Sequence, residues 1–186
     1  NKDQRIILCF GRVTEYKGME KAVRAFGLVR DELSELSLLI VGKSKDKHVR
    51  SRLLEEIDTL QSDRIAWVDA YVPDSAVPGL FSHAEFCLLP YEDIFLSQSA
   101  VLHLAYTFET PVIVSDVGGM GDSVRRFGTG IVMENNDSQC IAESLRAAMG
   151  QDVENYQRAF SAVHDKLSWH PIAITSFKTY QKEKEE

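Results

Sequence analysis

The chain has 186 residues, 44% of them hydrophobic and 26% charged, which suits one globular domain with a sizeable core. Its net charge of −7 excludes broad nucleic-acid binding, which needs a basic face, and leaves room only for local anion sites. No apolar run approaches the roughly 18 residues that mark a membrane span.

In chain order, residues 6–10 form a continuous apolar run that predicts a buried strand ending at Gly11-Arg12. A helical pattern follows, with Met19, Ala22, Val23, Phe26 and Leu33 near one face. A second strand is expected over 38–41, ending at Gly42, then a helix marked by Val49, Leu53, Ile57 and Leu60. A short third strand over 65–68 leads through a Pro-bearing turn to the short segment 77–81. A fourth strand over 86–89 is closed by Pro90. Next come a helix over 99–108, a strand over 112–115, a turn of helix near 122–126 and a last short strand over 131–133. From Ser138 onward the pattern is helical, marked first by Ile141, Leu145 and Met149, then by Tyr156, Phe160, Val163 and Leu167. Pro171 fits the first turn of a terminal helix carrying Ile174, Phe177 and Tyr180. The alternation predicts an α/β, Rossmann-like, open and mostly parallel sheet of about six strands, with helices on both faces and a helical C-terminus.

Cys9, Cys87 and Cys140 make no C-x-x-C pair and no metal spacing. Cys9 and Cys87 lie in apolar runs where a thiol acts as a small hydrophobe, which fits a reducing, cytoplasmic setting. The chain starts without Met on a polar stretch directly before a strand. That start reads as a cut at a linker, so a preceding domain is expected.

In α/β domains, ligands sit beyond the carboxyl ends of parallel strands. Two strand ends stand out for their chemistry. The first puts Gly11 and Arg12 at its end, with Lys17-Gly18 within the same loop. Arg forks onto two phosphate oxygens and Lys supplies a mobile point charge, both near a helix start that already attracts anions. The fifth strand runs into Gly118-Gly119, which presents bare backbone. Together they point to a phosphate-bearing ligand. Gly42-Lys43-Ser44 is not a nucleotide-triphosphate loop, because position 37 is Ser rather than the glycine that the motif requires.

Ser97-Gln98-Ser99 opens a helix after the fourth strand. Serine is a common N-cap, and free amides and hydroxyls there could also hold a diphosphate. In the apolar stretch behind it, His103 reads as a core histidine rather than a ligand. The other histidines show no metal spacing. Glu92 and Asp93 sit in the loop at the ligand edge, where solvated carboxylates are the ordinary case and contact with a sugar hydroxyl is the functional one.

Several segments carry a family resemblance: Phe10-Gly-Arg-Val-Thr-Glu-Tyr-Lys-Gly18, Leu38-Leu-Ile-Val-Gly42, the stretch from Tyr71-Val-Pro-Asp74 to Leu89-Pro90, Asp116-Val-Gly-Gly119 with Gly128-Thr-Gly130, and Leu167-Ser-Trp169 with Tyr180. With them, most of the chain resembles the C-terminal, donor-binding domain of two-domain GT-B glycosyltransferases, the large retaining group that uses nucleotide sugars. The resemblance implies that residues 1–186 form the nucleotide-sugar-binding half, with an N-terminal acceptor domain as partner. It implies a nucleoside diphosphate sugar as donor substrate, no cofactor and no metal. It further implies a hydroxyl acceptor on a glycan or lipid-linked sugar of the cell envelope, and a cytoplasmic site that meets the inner face of the membrane through the absent domain. Arg12 and Lys17 would bind the diphosphate and serve catalysis. Ser97, Gln98, Ser99, Ala100 and Val101 would hold phosphate or sugar at a helix start, with Gly11, Gly118, Gly119 and Glu92 completing the donor site. The family's two glutamates, eight positions apart, fall on Leu96 and Leu104 here, while Ser97-Gln-Ser-Ala100 is similar to the Ser-Gln-Ser-Gly of a related subgroup. Three readings stay open: a hexosyl-type transferase whose isolated donor half transfers nothing, a degenerate, non-catalytic binding module, and another sugar-phosphate enzyme on the same fold, such as an epimerase or phosphorylase.

Overall fold

The computed structural model describes residues 4–167, and the expected terminal helix after Pro171 lies outside them. Six strands form one sheet: β1 (Arg5–Phe10), β2 (Leu36–Val41), β3 (Ile65–Val68), β4 (Phe86–Leu89), β5 (Val112–Ser115) and β6 (Gly130–Met133). Their spatial order is β3-β2-β1-β4-β5-β6, and every neighbouring pair is parallel. Seven α-helices connect or follow them: α1 (Met19–Val29), α2 (Lys47–Leu60), α3 (Val77–His83), α4 (Ala100–Thr107), α5 (Met120–Phe127), α6 (Ser138–Met149) and α7 (Glu154–Leu167).

The apolar runs become strands because both sheet faces are covered. All four residues of β4 and all four of β5 are buried, which is why these strands lack a polar alternation. Successive side chains of β1 point to opposite faces. Ile7 and Cys9 enter a core with Phe26, Ile40 and Leu145, whereas Leu8 enters one with Phe81, Cys87, Val101 and Phe160. Two short segments are more helical than the sequence pattern predicts. The segment expected over 77–81 is the helix α3, which runs to His83 with Pro in its first turn. The turn near 122–126 is the full helix α5, opened by Gly119 and closed by Gly128, both in the left-handed region.

The chain moves outward from β1 through β2 to β3, then returns to place β4 against the other side of β1. The strand order therefore reverses between β1 and β4. In open α/β sheets, that switch point leaves a crevice outside the strands' carboxyl ends.

Candidate functional site

The loops after β1 and β4 meet at this crevice and are locked to each other. Glu92 N–H donates to the Tyr16 carbonyl at 2.8 Å. A Cβ on Gly18 would lie 2.0 Å from the Pro90 carbonyl oxygen, so only glycine lets the two loops touch. Tyr16 stacks on Phe95 at 5.4 Å, and Tyr91 packs edge-on against Phe95 at 4.8 Å. This aromatic cluster fixes where the loop residues point.

Lys17, from the single 3₁₀ turn before α1, points inward and is only 6% exposed. Its Nζ donates to Tyr91 Oη at 2.9 Å and, at a longer 3.4 Å, to the Phe10 carbonyl. Burial pulls the ammonium from its ordinary 10.5 down to about 8, and the neighbouring Arg12 charge pushes the same way. Tyr91 is 1% exposed, and burial holds its phenol above the usual range. Its hydroxyl meets Ser99 Oγ at 3.1 Å. Ser99 is the N-cap of α4, and its Oγ also accepts from Leu102 N–H at 3.3 Å. The serine is thus an N-cap, as its residue type predicts, and also the end of a buried polar chain that starts at Lys17.

Gly11 completes the arrangement. It has φ of 100°, a conformation that L side chains rarely adopt. A Cβ there would meet Lys17 Nζ at 3.0 Å and Val101 Cγ2 at 3.3 Å. The structure therefore brings together Gly11, Lys17, Ser99 and Val101, which are more than 80 residues apart at the extremes of the sequence.

Two cavities flank α4. The larger, about 590 Å³, is lined by Phe10, Gly11 and Arg12 from the β1 end, Lys43 and Lys45 from the β2 end, Tyr71, Val72 and Asp74 beyond β3, and Leu104 and Phe108 of α4. It has an apolar body with cations from two strand ends. The smaller, about 260 Å³, holds Gln98, Ser99 and His103 against Gly118, Gly119, Ser123 and Arg126. Here a Cβ on Gly118 would lie 2.3 Å from the Ser97 carbonyl oxygen, so Gly118 receives the loop before α4, whereas Gly119 faces open space. Ala100 opens α4 on its exposed side.

Some expected residues lie elsewhere. Glu92 is not brought to the crevice with Arg12. Its Oε2 accepts from Lys21 Nζ at 2.8 Å and from Asn136 Nδ2 at 3.0 Å, beside a different cavity that contains Arg24 and Arg52. His103 is not a core residue: it is exposed on α4, with Nε2 3.2 Å from Gln98 Oε1. Leu96 is 87% exposed, whereas Leu104 forms part of the larger cavity's wall. Tyr91 was not legible as a site residue; its only sequence signal is a polar aromatic directly after Pro90 at a strand end. Among the described residues, no group of three or more His, Cys, Asp or Glu side chains is placed to hold a metal ion. No described helix is long and apolar enough to cross a membrane.

A sequence profile of the family described as Glycosyl transferases group 1 matches residues 4–151. A D-inositol 3-phosphate glycosyltransferase from Corynebacterium efficiens is 27% identical over 173 residues, covering 84% of this chain and 39% of its own length. Among solved structures, the sucrose-phosphate synthase of Thermosynechococcus elongatus superposes with a TM-score of 0.81 at 24% identity, over 98% of this chain and 46% of that one. The C-terminal domain of a glycosyl transferase group 1 family protein from Francisella tularensis superposes with a TM-score of 0.75 at 16% identity, over 89% of this chain and 87% of that one. These two likenesses speak to the fold. The chain spans less than half the length of the first two proteins.

Proposed function

Since this chain belongs to the glycosyl transferases group 1 family, we propose that it is the donor-binding half of a GT-B enzyme. The whole protein would move a hexosyl group from a nucleoside diphosphate sugar to a hydroxyl acceptor of an envelope glycan, with retained configuration. The observation that carries the reading is that Lys17, Gly11 and the α4 start meet at the β1/β4 switch point, beside the cavity that Gly11 and Arg12 line.

In this reading the base and ribose occupy the larger cavity, against Leu104, Phe108 and Phe10. The diphosphate turns past Gly11, where Lys17 Nζ and the Arg12 guanidinium meet it. As the bond from the sugar to the diphosphate breaks, negative charge grows on the leaving phosphate. Lys17, already held in place by Tyr91, stabilises that charge without reorganising at the moment of reaction, and the exposed Arg12 adds a second cation. Burial strengthens the Lys17 contribution, because the charge there is poorly screened. The acceptor hydroxyl and the groups that orient it belong to the domain absent from this chain. Closure of two domains is what would exclude water and align the reactants. The isolated chain is therefore expected to bind donor and transfer nothing.

One observation favours the second reading, a degenerate binding module. Where the resemblance implies two carboxylates, Leu96 projects into solvent and Leu104 makes an apolar wall. Calorimetry with UDP, GDP and their sugars, with a transfer assay on the two-domain protein, tests both. Binding with transfer supports the enzyme, binding without transfer supports the module, and no binding removes both.

A further inference from the structure

We infer that Tyr91 is the positioning residue of the phosphate site: its hydroxyl holds Lys17 Nζ beneath Gly11 and ties it, through Ser99, to the start of α4. The inference rests on the reading of Lys17 as a phosphate ligand and adds a residue that touches no ligand itself.

A buried ammonium keeps its charge only where its hydrogens find acceptors. Lys17 Nζ has one acceptor at a short distance, Tyr91 Oη at 2.9 Å; the Phe10 carbonyl, at 3.4 Å, is near the limit of a hydrogen bond. The other titratable groups near enough to act on the Nζ charge are the Cys9 thiol from β1, the Cys87 thiol from β4 and the Arg12 guanidinium. Burial holds both thiols above their ordinary range, so they stay uncharged, and Arg12 repels. Among the described residues nothing anionic fixes the lysine, which leaves the phenol oxygen as its anchor.

The anchor is itself immobilised from several directions. Its ring packs edge-on against Tyr16 at 5.9 Å and Phe95 at 4.8 Å. Its backbone carbonyl accepts from Asn136 Nδ2 at 3.1 Å. Its hydroxyl oxygen sits 3.1 Å from Ser99 Oγ, which also receives Leu102 N–H. With Nζ donating into the phenol oxygen, the phenol hydrogen is free to turn to Ser99. The chain from Lys17 to Tyr91 to Ser99 therefore joins the β1 loop to α4, the two walls between which a phosphate would sit. A third ammonium hydrogen is left for a ligand at Gly11, whose missing Cβ leaves Nζ uncovered on that side.

Tyr91→Phe tests the inference because it keeps the ring and removes only the hydroxyl. The readout is the pH titration of the Lys17 ε-methylene by carbon NMR on the full chain, with the signal assigned by its absence in Lys17→Met. Loss of the acceptor disfavours the charged form, so the midpoint should move down by about one pH unit. Affinity for UDP or GDP at neutral pH should fall about tenfold, as loss of a hydrogen bond to a charged group can do. A Tyr91→Phe protein whose lysine titrates as in the parent, or at higher pH, overturns the inference, because a purely structural tyrosine would not set that midpoint. Should Tyr91→Phe fail to fold, Ser99→Ala leaves the tyrosine intact, and the same downward direction, smaller in size, is required of it. If the parent chain binds neither nucleotide, the phosphate reading of the site falls while the titration still decides the role of Tyr91.

Discussion

The Cβ that Gly11 lacks would lie 3.0 Å from Lys17 Nζ, so the first residue after β1 is the opening through which a buried lysine faces the larger cavity. Gly11→Ala closes that opening and places a side chain at φ of 100°. The backbone strain alone costs about 1–3 kcal/mol. Nucleotide affinity should fall by about tenfold or more, measured by calorimetry, with a melting temperature lowered by several degrees. Retained affinity in a folded variant would place the phosphate away from Gly11.

Lys17 should cost the fold stability. Its pKa is about 8 in the folded protein, below its ordinary 10.5. Between those values the unfolded chain binds more protons, so stability rises as pH climbs through that window. Below about pH 8 the full penalty is present, on the order of 3 kcal/mol. Lys17→Met should therefore melt higher than the parent at pH 7 while losing nucleotide affinity, and the difference in melting temperature should shrink toward pH 10. Denaturant melts at three pH values check this, and a less stable Lys17→Met protein would contradict it.

On the proposed function, Lys17→Ala in the whole protein should lower the transfer rate by on the order of a hundredfold, the scale for loss of one transition-state charge partner. Steady-state kinetics with a nucleoside diphosphate sugar reads this directly. An unchanged rate would take Lys17 out of the mechanism and shift the charge role to Arg12 and the other cations of the larger cavity.

Binding should raise the lysine's affinity for its proton, because an anion arrives beside it. Near pH 8 the chain should take up about half a proton per nucleotide, since the free group is then half titrated. Calorimetry in two buffers of different ionisation enthalpy measures the uptake, which should vanish in Lys17→Met.

Glu92 should matter to stability and not to the ligand. Its carboxylate bridges Lys21 and Asn136. The pair with Lys21 is partly solvated, so Glu92→Gln should cost about 1 kcal/mol, seen in denaturant melts, with UDP or GDP affinity unchanged. A large loss of affinity would return Glu92 to the donor site.

The sequence by itself determined the layered fold. The runs at Ile7–Cys9, Phe86–Leu89 and Val112–Val114 are apolar at every position, and only a sheet covered on both faces accepts such strands. It also marked Gly11, Arg12 and Lys17 as a group, because chemistry at a strand end is local in sequence. Helix ends were less legible: α3 and α5 depend on packing that short windows do not display. The tertiary structure alone decided which loops face each other. The reversal of strand order between β1 and β4 sets Tyr91 and Ser99 on Lys17, 74 residues separating the lysine from the tyrosine. It also turns Glu92, the very next residue, away toward Lys21. Neighbours in sequence point to different partners here because a loop fixed by Tyr16 and Phe95 dictates side-chain direction, and that fixing is a long-range contact no local pattern encodes.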